Sequence, residues 1–464
     1  MVFSSLTFLF AFLPVVLLGY RLLPKKLRIG FLLLASLVFY AWGEPLYVFL
    51  MIGSILVNWL IGFKVAGDGP HRKSWLALSV ALNLLLLLIF KYTGLLWDTV
   101  KGLFPAPLSG RTVAIRLPIG ISFFTFQIMS YVIDVYRGNA KAQKNPIVFG
   151  AYVSMFPQLI AGPIVRYVDI EEQLDNPDLS LESFARGVEL FVVGLGKKVL
   201  LANGVAVFWR ELSQAPGETG VLGAWAGLLA YTFQIYFDFS GYSDMACGLG
   251  RMLGFRFVQN FRYPYIAESV TDFWRRWHIS LSTWFREYVY IPLGGNRRGL
   301  PRQILNLLIV WMLTGLWHGA SWNFLLWGLY YGVLLILEKL FLGKLLQKLP
   351  KLLRQLITFL AAALGWGIFY FTDFSALGAF FAALVGVGNP GLFTAASRAW
   401  VLGYLPLLLI CAVASTPLGA IVNKRLEKAK AWPWVRLILG AALFLLCLGA
   451  LASQSYNPFI YFRF

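Results

Sequence analysis

Long apolar runs closed by clusters of basic residues recur along this chain, and they limit what it can fold into. Residues 6–20 are followed by Arg21, Lys25, Lys26 and Arg28, residues 46–63 by Lys64, His71, Arg72 and Lys73, and residues 117–136 by Arg137, Lys141 and Lys144. Further runs lie at 31–42, 75–90, 184–209, 221–237, 304–317, 322–340, 356–371, 401–422 and 437–451, with a short one at 376–387. A helix needs about 20 mostly apolar residues to cross a bilayer, because its backbone groups must be satisfied within the segment once water is gone. The pattern predicts an all-α polytopic membrane protein, a single integral membrane domain over residues 1–464, with about eleven transmembrane helices. Only 13% of the residues are charged and 59% are hydrophobic. Soluble domains carry about a quarter charged residues, so a soluble fold is excluded.

The formal net charge of +19 would suggest nucleic acid in a soluble protein. In this chain the basic clusters follow the first, third and fifth runs, as the positive-inside rule places them on the cytosolic face. We expect no nucleic-acid partner, and we expect Met1 outside. The first run lacks a basic leader and a small-residue cleavage site, so it reads as a retained span.

Three stretches depart from the pattern. Residues 149–164 contain Pro157, Gly162 and Pro163 and read as a re-entrant hairpin, because broken backbone survives at membrane depth only where protein or a wet cavity covers it. Residues 169–182 are acidic and read as cytosolic surface. Residues 259–303 form the longest segment that cannot span, and read as an interfacial or cytosolic amphipathic segment. Within it, Val270, Phe273, Trp274, Trp277, Leu281, Trp284, Phe285 and Tyr288 recur at helical spacing, which predicts one helix over 269–288. Ser269 and Asp272 match a helix start, and Asp272 and Arg276 stand at i,i+4. Such a helix is expected to lie in the membrane interface with its aromatic face in the acyl region. His278 falls on the flank of that stripe. The loop around 105–116 is mixed in character, and the aromatic tail 456–464 looks interfacial.

His318 stands out chemically because it lies between long apolar runs. An ionisable side chain at membrane depth is costly and usually faces a cavity, and imidazole can take and return a proton near neutral pH. The plainer reading is a histidine whose nitrogens are satisfied by neighbouring helices. Asp238, Ser240 and Asp244, with Tyr236 and Tyr242, interrupt another apolar region, and residues 117–127 mix apolar with polar groups. Either stretch suits a transport path as well as an enzyme tunnel. There is no Walker loop, HExxH, Cys/His metal spacing or GxSxG elbow, and we expect no metal.

Read together, several strings resemble the membrane-bound O-acyltransferase superfamily, most closely its bacterial alginate O-acetyltransferase branch. They are residues 117–127, 156–163, 236–245, 260–265 and 271–295, then Trp317-His318-Gly319-Ala320-Ser321-Trp322-Asn323-Phe324, with residues 1–5 and 457–459 at the ends. The resemblance implies transmembrane, re-entrant and interfacial helices around a tunnel that crosses the membrane. It also implies a bacterial inner-membrane location, a cytosolic acyl donor and an acceptor reached from outside. It makes His318 the catalytic histidine and His278 the second active position. Glu287 stands where relatives are expected to carry Asp. The implied donor substrate is acetyl-CoA, with no bound cofactor, and the implied partners are membrane lipid and an exported acetyltransferase that modifies a polysaccharide. Candidate substrate-binding residues are Arg275, Arg276, Arg297, Arg298, Asp244, Ser240, Trp317 and Asn323. Alternatives are D-alanyl transfer to teichoic acid from a carrier protein, a proton-coupled secondary transporter using Asp238, Asp244 and His318, and a scaffold for polymer export.

Overall fold

The computed structural model describes residues 1–104, 115–160, 162–214, 218–388 and 391–453. Among them the regular structure is helical, with no strand. Among the described residues, eight helices are long and apolar enough to cross a membrane: Tyr47–Ala66, Arg72–Leu103, Leu181–Ser213, Gly299–His318, Trp322–Leu346, Lys351–Tyr370, Ala395–Ala414 and Trp432–Ser453. Phe8–Leu22 and Phe374–Leu384 are apolar but shorter. The expected spans at 31–42 and 117–136 are the 17-residue helices Lys25–Ala41 and Ile121–Arg137. The run at 221–237 continues as a 32-residue helix, Val221–Met252. The tail expected at the interface and most of the 105–116 loop lie outside the described residues.

The chain divides into two compact units, Met1–Phe191 with Ser243–Gln259, and Val192–Tyr242 with Asn260–Phe464. In the first, the irregular stretch at 149–164 is two helices, Pro146–Ser154 and Phe156–Leu159, separated by Met155. Pro157 has no N–H to carry the first helix onward, and it stands in the first turn of the second helix, where an N–H would find no partner within the helix. The break is covered by protein, with Met155, Phe156 and Leu159 all fully buried. The freed N–H of Phe156 donates to Ser36 Oγ at 3.1 Å, which removes the penalty for an unpaired backbone donor. The neighbouring helix Ile121–Arg137 starts from Gly120 in the left-handed region, φ 77°. A Cβ at Gly120 would lie 2.5 Å from the Leu159 carbonyl oxygen, so both the backbone conformation and the close approach demand glycine.

The second unit corrects one expectation. Residues 269–288 are not a single helix but Val270–Trp274, then Ile279–Phe285, then a π-type turn Arg286–Tyr290. The break falls at His278, whose φ of 45° and ψ of 55° are left-handed. Periodicity hid this break, because both pieces keep the three-to-four spacing of their aromatic residues. That aromatic face is also packed inside the protein instead of lying open to acyl chains: Phe273 and Trp277 are buried against Tyr265 and Trp366. The start signal is real, since Ser269 Oγ accepts the Asp272 N–H at 3.1 Å. Arg276 Nε meets Asp272 Oδ1 at 2.9 Å.

Helices Gly299–His318 and Trp322–Leu346 form the tightest pair in this unit. A Cβ on Gly315 would sit 2.2 Å from the Phe324 carbonyl oxygen, and one on Gly328 would sit 2.3 Å from that of Trp311. Paired small residues let transmembrane backbones touch where the hydrophobic effect offers no drive. The first of these helices ends on His318, so the glycine contact lies one turn before the imidazole.

Candidate active site

His318 is 4% exposed. Its ring lies edge-on to Trp317 and Trp327, both at 5.0 Å between centroids, and to Phe369 at 5.4 Å. Three aromatic walls exclude bulk water while leaving a polar ring in a dry, polarisable setting. Helix Lys351–Tyr370 supplies Phe369 in its last turn. Asn323 holds that turn, because its side-chain nitrogen donates to the carbonyls of Ile368 and Phe369 at 3.3 and 3.1 Å. Asn323 therefore shapes the wall behind His318 from within the protein.

His278 is equally buried, at 1% exposed. Its ring is edge-on to Phe239 of the Val221–Met252 helix at 4.7 Å and to Trp317 at 5.9 Å. Trp317 thus touches both imidazoles, and the tertiary structure brings together two histidines that are forty positions apart. Backbone bonds hold the His278 turn: the Ile279 N–H donates to the Asn260 carbonyl at 3.0 Å, and the Arg262 N–H to the Arg276 carbonyl at 2.9 Å. The Asn260 side-chain oxygen lies 3.2 Å from His278 Nδ1 and also takes the backbone N–H and the hydroxyl of Ser280, at 3.1 and 3.0 Å. Burial pushes the His278 imidazole well below its ordinary pKa, because the charged form loses its hydration. The ring is therefore neutral at physiological pH.

A cavity of about 550 Å³ opens beside this turn, within the range of small-molecule sites. His278 lines it together with apolar Trp274, Leu281, Phe285, Val310 and Trp311, and with Thr314, one turn before His318. The cations Arg275, Arg286 and Lys339 also line it. The one carboxylate on this wall is Glu338, which accepts the Val270 and Thr271 N–H groups at 2.7 and 3.3 Å. It caps the short helix that carries Arg275, satisfying donors that a helix start leaves open.

Of the residues expected to bind substrate, Arg275 lines the cavity and Trp317 joins the two histidines. Arg276, Arg297 and Arg298 are not in the cavity wall. Arg276 is held by Asp272, and Arg297 and Arg298 are exposed in the turn before the His318 helix. Ser240 is fully buried one position after Phe239, while Asp244 belongs to the other compact unit. Asp238, offered above as a proton-path group, forms a buried ion pair with Lys198. Sequence reasoning did not single out Asn260, Arg286, Glu338, Lys339, Trp327 or Phe369. For Asn260 the only signal was its place at the head of the 260–265 string, eighteen positions before the histidine it meets.

A helical membrane protein with two buried imidazoles around one indole, beside an apolar cavity with cationic walls, has the makings of a group-transfer enzyme acting on an amphipathic substrate. Residues 139–381 match the family described as MBOAT, membrane-bound O-acyltransferase. The chain is 40% identical to the probable alginate O-acetylase AlgI of Pseudomonas putida over the full length of both proteins. It is 37% identical to the peptidoglycan O-acetyltransferase of Helicobacter pylori, over 80% of this chain and 77% of that one. It is also 28% identical to the teichoic acid D-alanyltransferase of Bacillus subtilis, over 47% of this chain and 58% of that one. The chain belongs to the membrane-bound O-acyltransferase family and is a multi-pass membrane O-acyltransferase.

Proposed function

We propose that this enzyme moves an acetyl group from cytosolic acetyl-CoA across the bacterial inner membrane for O-acetylation of an extracytoplasmic polysaccharide, with an exported acetyltransferase as its partner. The observation that carries the donor assignment is the cavity beside His278. Its apolar wall suits a thioester arm, and Arg275, Arg286 and Lys339 suit phosphates through charge-assisted hydrogen bonds. The likeness to O-acetylases runs the full chain, whereas the likeness to D-alanyltransferases covers about half of it, which favours acetyl over D-alanyl.

His318 acts as general base. It takes the proton of the acceptor hydroxyl as the hydroxyl oxygen bonds to the acyl carbon. The tetrahedral intermediate then collapses, the carbon–sulfur bond breaks, and the thiolate recovers the proton from the imidazolium. An ester and free CoA thiol result, with atoms and charge in balance. General-base assistance contributes typically about 10²–10⁴-fold.

Two measurements test the donor. Purified enzyme in lipid bilayers is expected to consume acetyl-CoA with a hydroxyl acceptor present, and to ignore a D-alanyl carrier protein. Turnover of the carrier alone would overturn the acetyl reading. In the double variant Arg275→Gln/Arg286→Gln, the KM for acetyl-CoA is expected to rise about tenfold or more, with kcat changed far less. Each lost charge-assisted bond is worth about 1.5–3 kcal/mol, and a ground-state contact shows in KM. An unchanged KM would remove these cations from the donor site.

A further inference from the structure

Neutral imidazole carries its one hydrogen on either Nδ1 or Nε2, and the hydrogen bond made by one nitrogen decides what the other can do. At His278 the surrounding bonds settle this. The Ser280 backbone N–H can only donate, and it points at the Asn260 side chain at 3.1 Å. The atom it meets must therefore be the amide oxygen, because an amide nitrogen there would set donor against donor. That same oxygen faces His278 Nδ1 at 3.2 Å. An amide oxygen only accepts, so Nδ1 must carry the hydrogen. In the neutral ring, Nε2 is then left with its lone pair.

We infer that Asn260 is a positioning residue that holds His278 in its Nδ1–H form, so that His278 Nε2 meets the substrate as a hydrogen-bond acceptor. This rests on the acyl-transfer reading above and sorts the roles open to His278. Binding the thioester carbonyl oxygen, or protonating the leaving thiolate, would need a hydrogen on Nε2. Accepting the hydrogen of a second hydroxyl on the acceptor, beside the reacting one, needs the lone pair. His278 is thereby assigned to the hydroxyl-bearing substrate, which it orients through that second hydroxyl, leaving the hydrogen of the reacting hydroxyl to His318. The left-handed backbone at His278 belongs to the same device. A non-glycine residue in that region is strained and persists only where its surroundings over-determine it. The Asn260 backbone and side chain together supply that constraint.

The chain contains three histidines, which makes the test direct. Enzyme labelled with ¹⁵N-histidine and held in lipid bilayers is examined by nitrogen NMR, with His278 assigned by the loss of its signals in His278→Asn. The expected spectrum shows a protonated Nδ1 and an unprotonated Nε2 for His278. In Asn260→Ala the Nε2–H form is expected to appear, and turnover is expected to fall by about 10²-fold, the scale of a misplaced reacting group, with the KM for acetyl-CoA unchanged. Asn260→Asp keeps an acceptor for all three donors. It is expected to retain the wild-type spectrum and most of the lost turnover. A wild-type Nε2–H signal would overturn the proposal, and so would an Asn260→Ala enzyme that keeps Nδ1–H. If Asn260→Ala fails to fold, the wild-type spectrum and the Asn260→Asp variant still decide it. Failure of the donor reading would appear separately, as wild-type enzyme with the expected spectrum and no turnover of acetyl-CoA.

Discussion

His318→Ala is expected to reduce acyl transfer by at least about 10²–10⁴-fold, the contribution of a positioned base, in protein that still inserts and folds. The imidazole is buried among Trp317, Trp327 and Phe369, so alanine leaves a void there and some stability is lost as well. His318→Gln separates the two effects. Glutamine fills much of the space and hydrogen-bonds but cannot take a proton, so it should unfold near the wild-type temperature and remain as inactive as alanine. The assay follows CoA thiol release and ester formation in the same bilayers, alongside a thermal unfolding curve. Full activity in either variant would return His318 to a packing role. Loss in alanine alone, with glutamine active, would do the same.

The second large effect is far smaller in atoms. Gly315→Ala adds one methyl group, yet its Cβ would lie 2.2 Å from a backbone carbonyl oxygen of the partner helix and 3.4 Å from the Gly328 Cα. Neither obstacle is a side chain that can swing aside, so the helices must separate. Overpacking of this kind costs typically about 1–3 kcal/mol. Because Gly315 stands one turn before His318, separation also moves the imidazole, and a shift of 1 Å in a reacting group can cost about 10²-fold. We expect both a lowered unfolding temperature and a drop in kcat of that order. Gly53→Ala is the matched control. Gly53 lies inside helix Tyr47–Ala66 with nothing within 4 Å of an added Cβ, and alanine is about 1 kcal/mol better than glycine in a helix interior. That variant should be neutral or slightly more stable, with full activity. Equal tolerance of both substitutions would refute the close glycine contact.

The two histidines show how far the sequence could be read. His318 was legible because an ionisable side chain amid apolar runs is expensive, and its helix ends where the apolar run ends. The break at 149–164 was legible from Pro157, Gly162 and Pro163. The partner that satisfies it, Ser36, was not, since nothing local links positions 120 residues apart. The helix expected over 269–288 failed for the opposite reason. Its aromatic spacing was genuine, but the turn at His278 is imposed by Asn260, whose bonds come from outside the segment. The arginines divided in the same way. Charge marked all of them as candidates for phosphate, while only the folded backbone separates Arg275, in the cavity wall, from Arg297 and Arg298 in an exposed turn.

By itself, the sequence determined that this chain is helical and built for a bilayer, because apolar length and backbone hydrogen-bond satisfaction are local properties of each segment. It also marked His318 and His278 for chemistry. Only the tertiary structure decided that both imidazoles share Trp317, that an asparagine eighteen residues away directs one of them, and that two glycines set the helix carrying the other. Those outcomes depend on contacts between segments distant in the chain, where the position of a donor or the absence of a methyl group matters more than any residue's average preference.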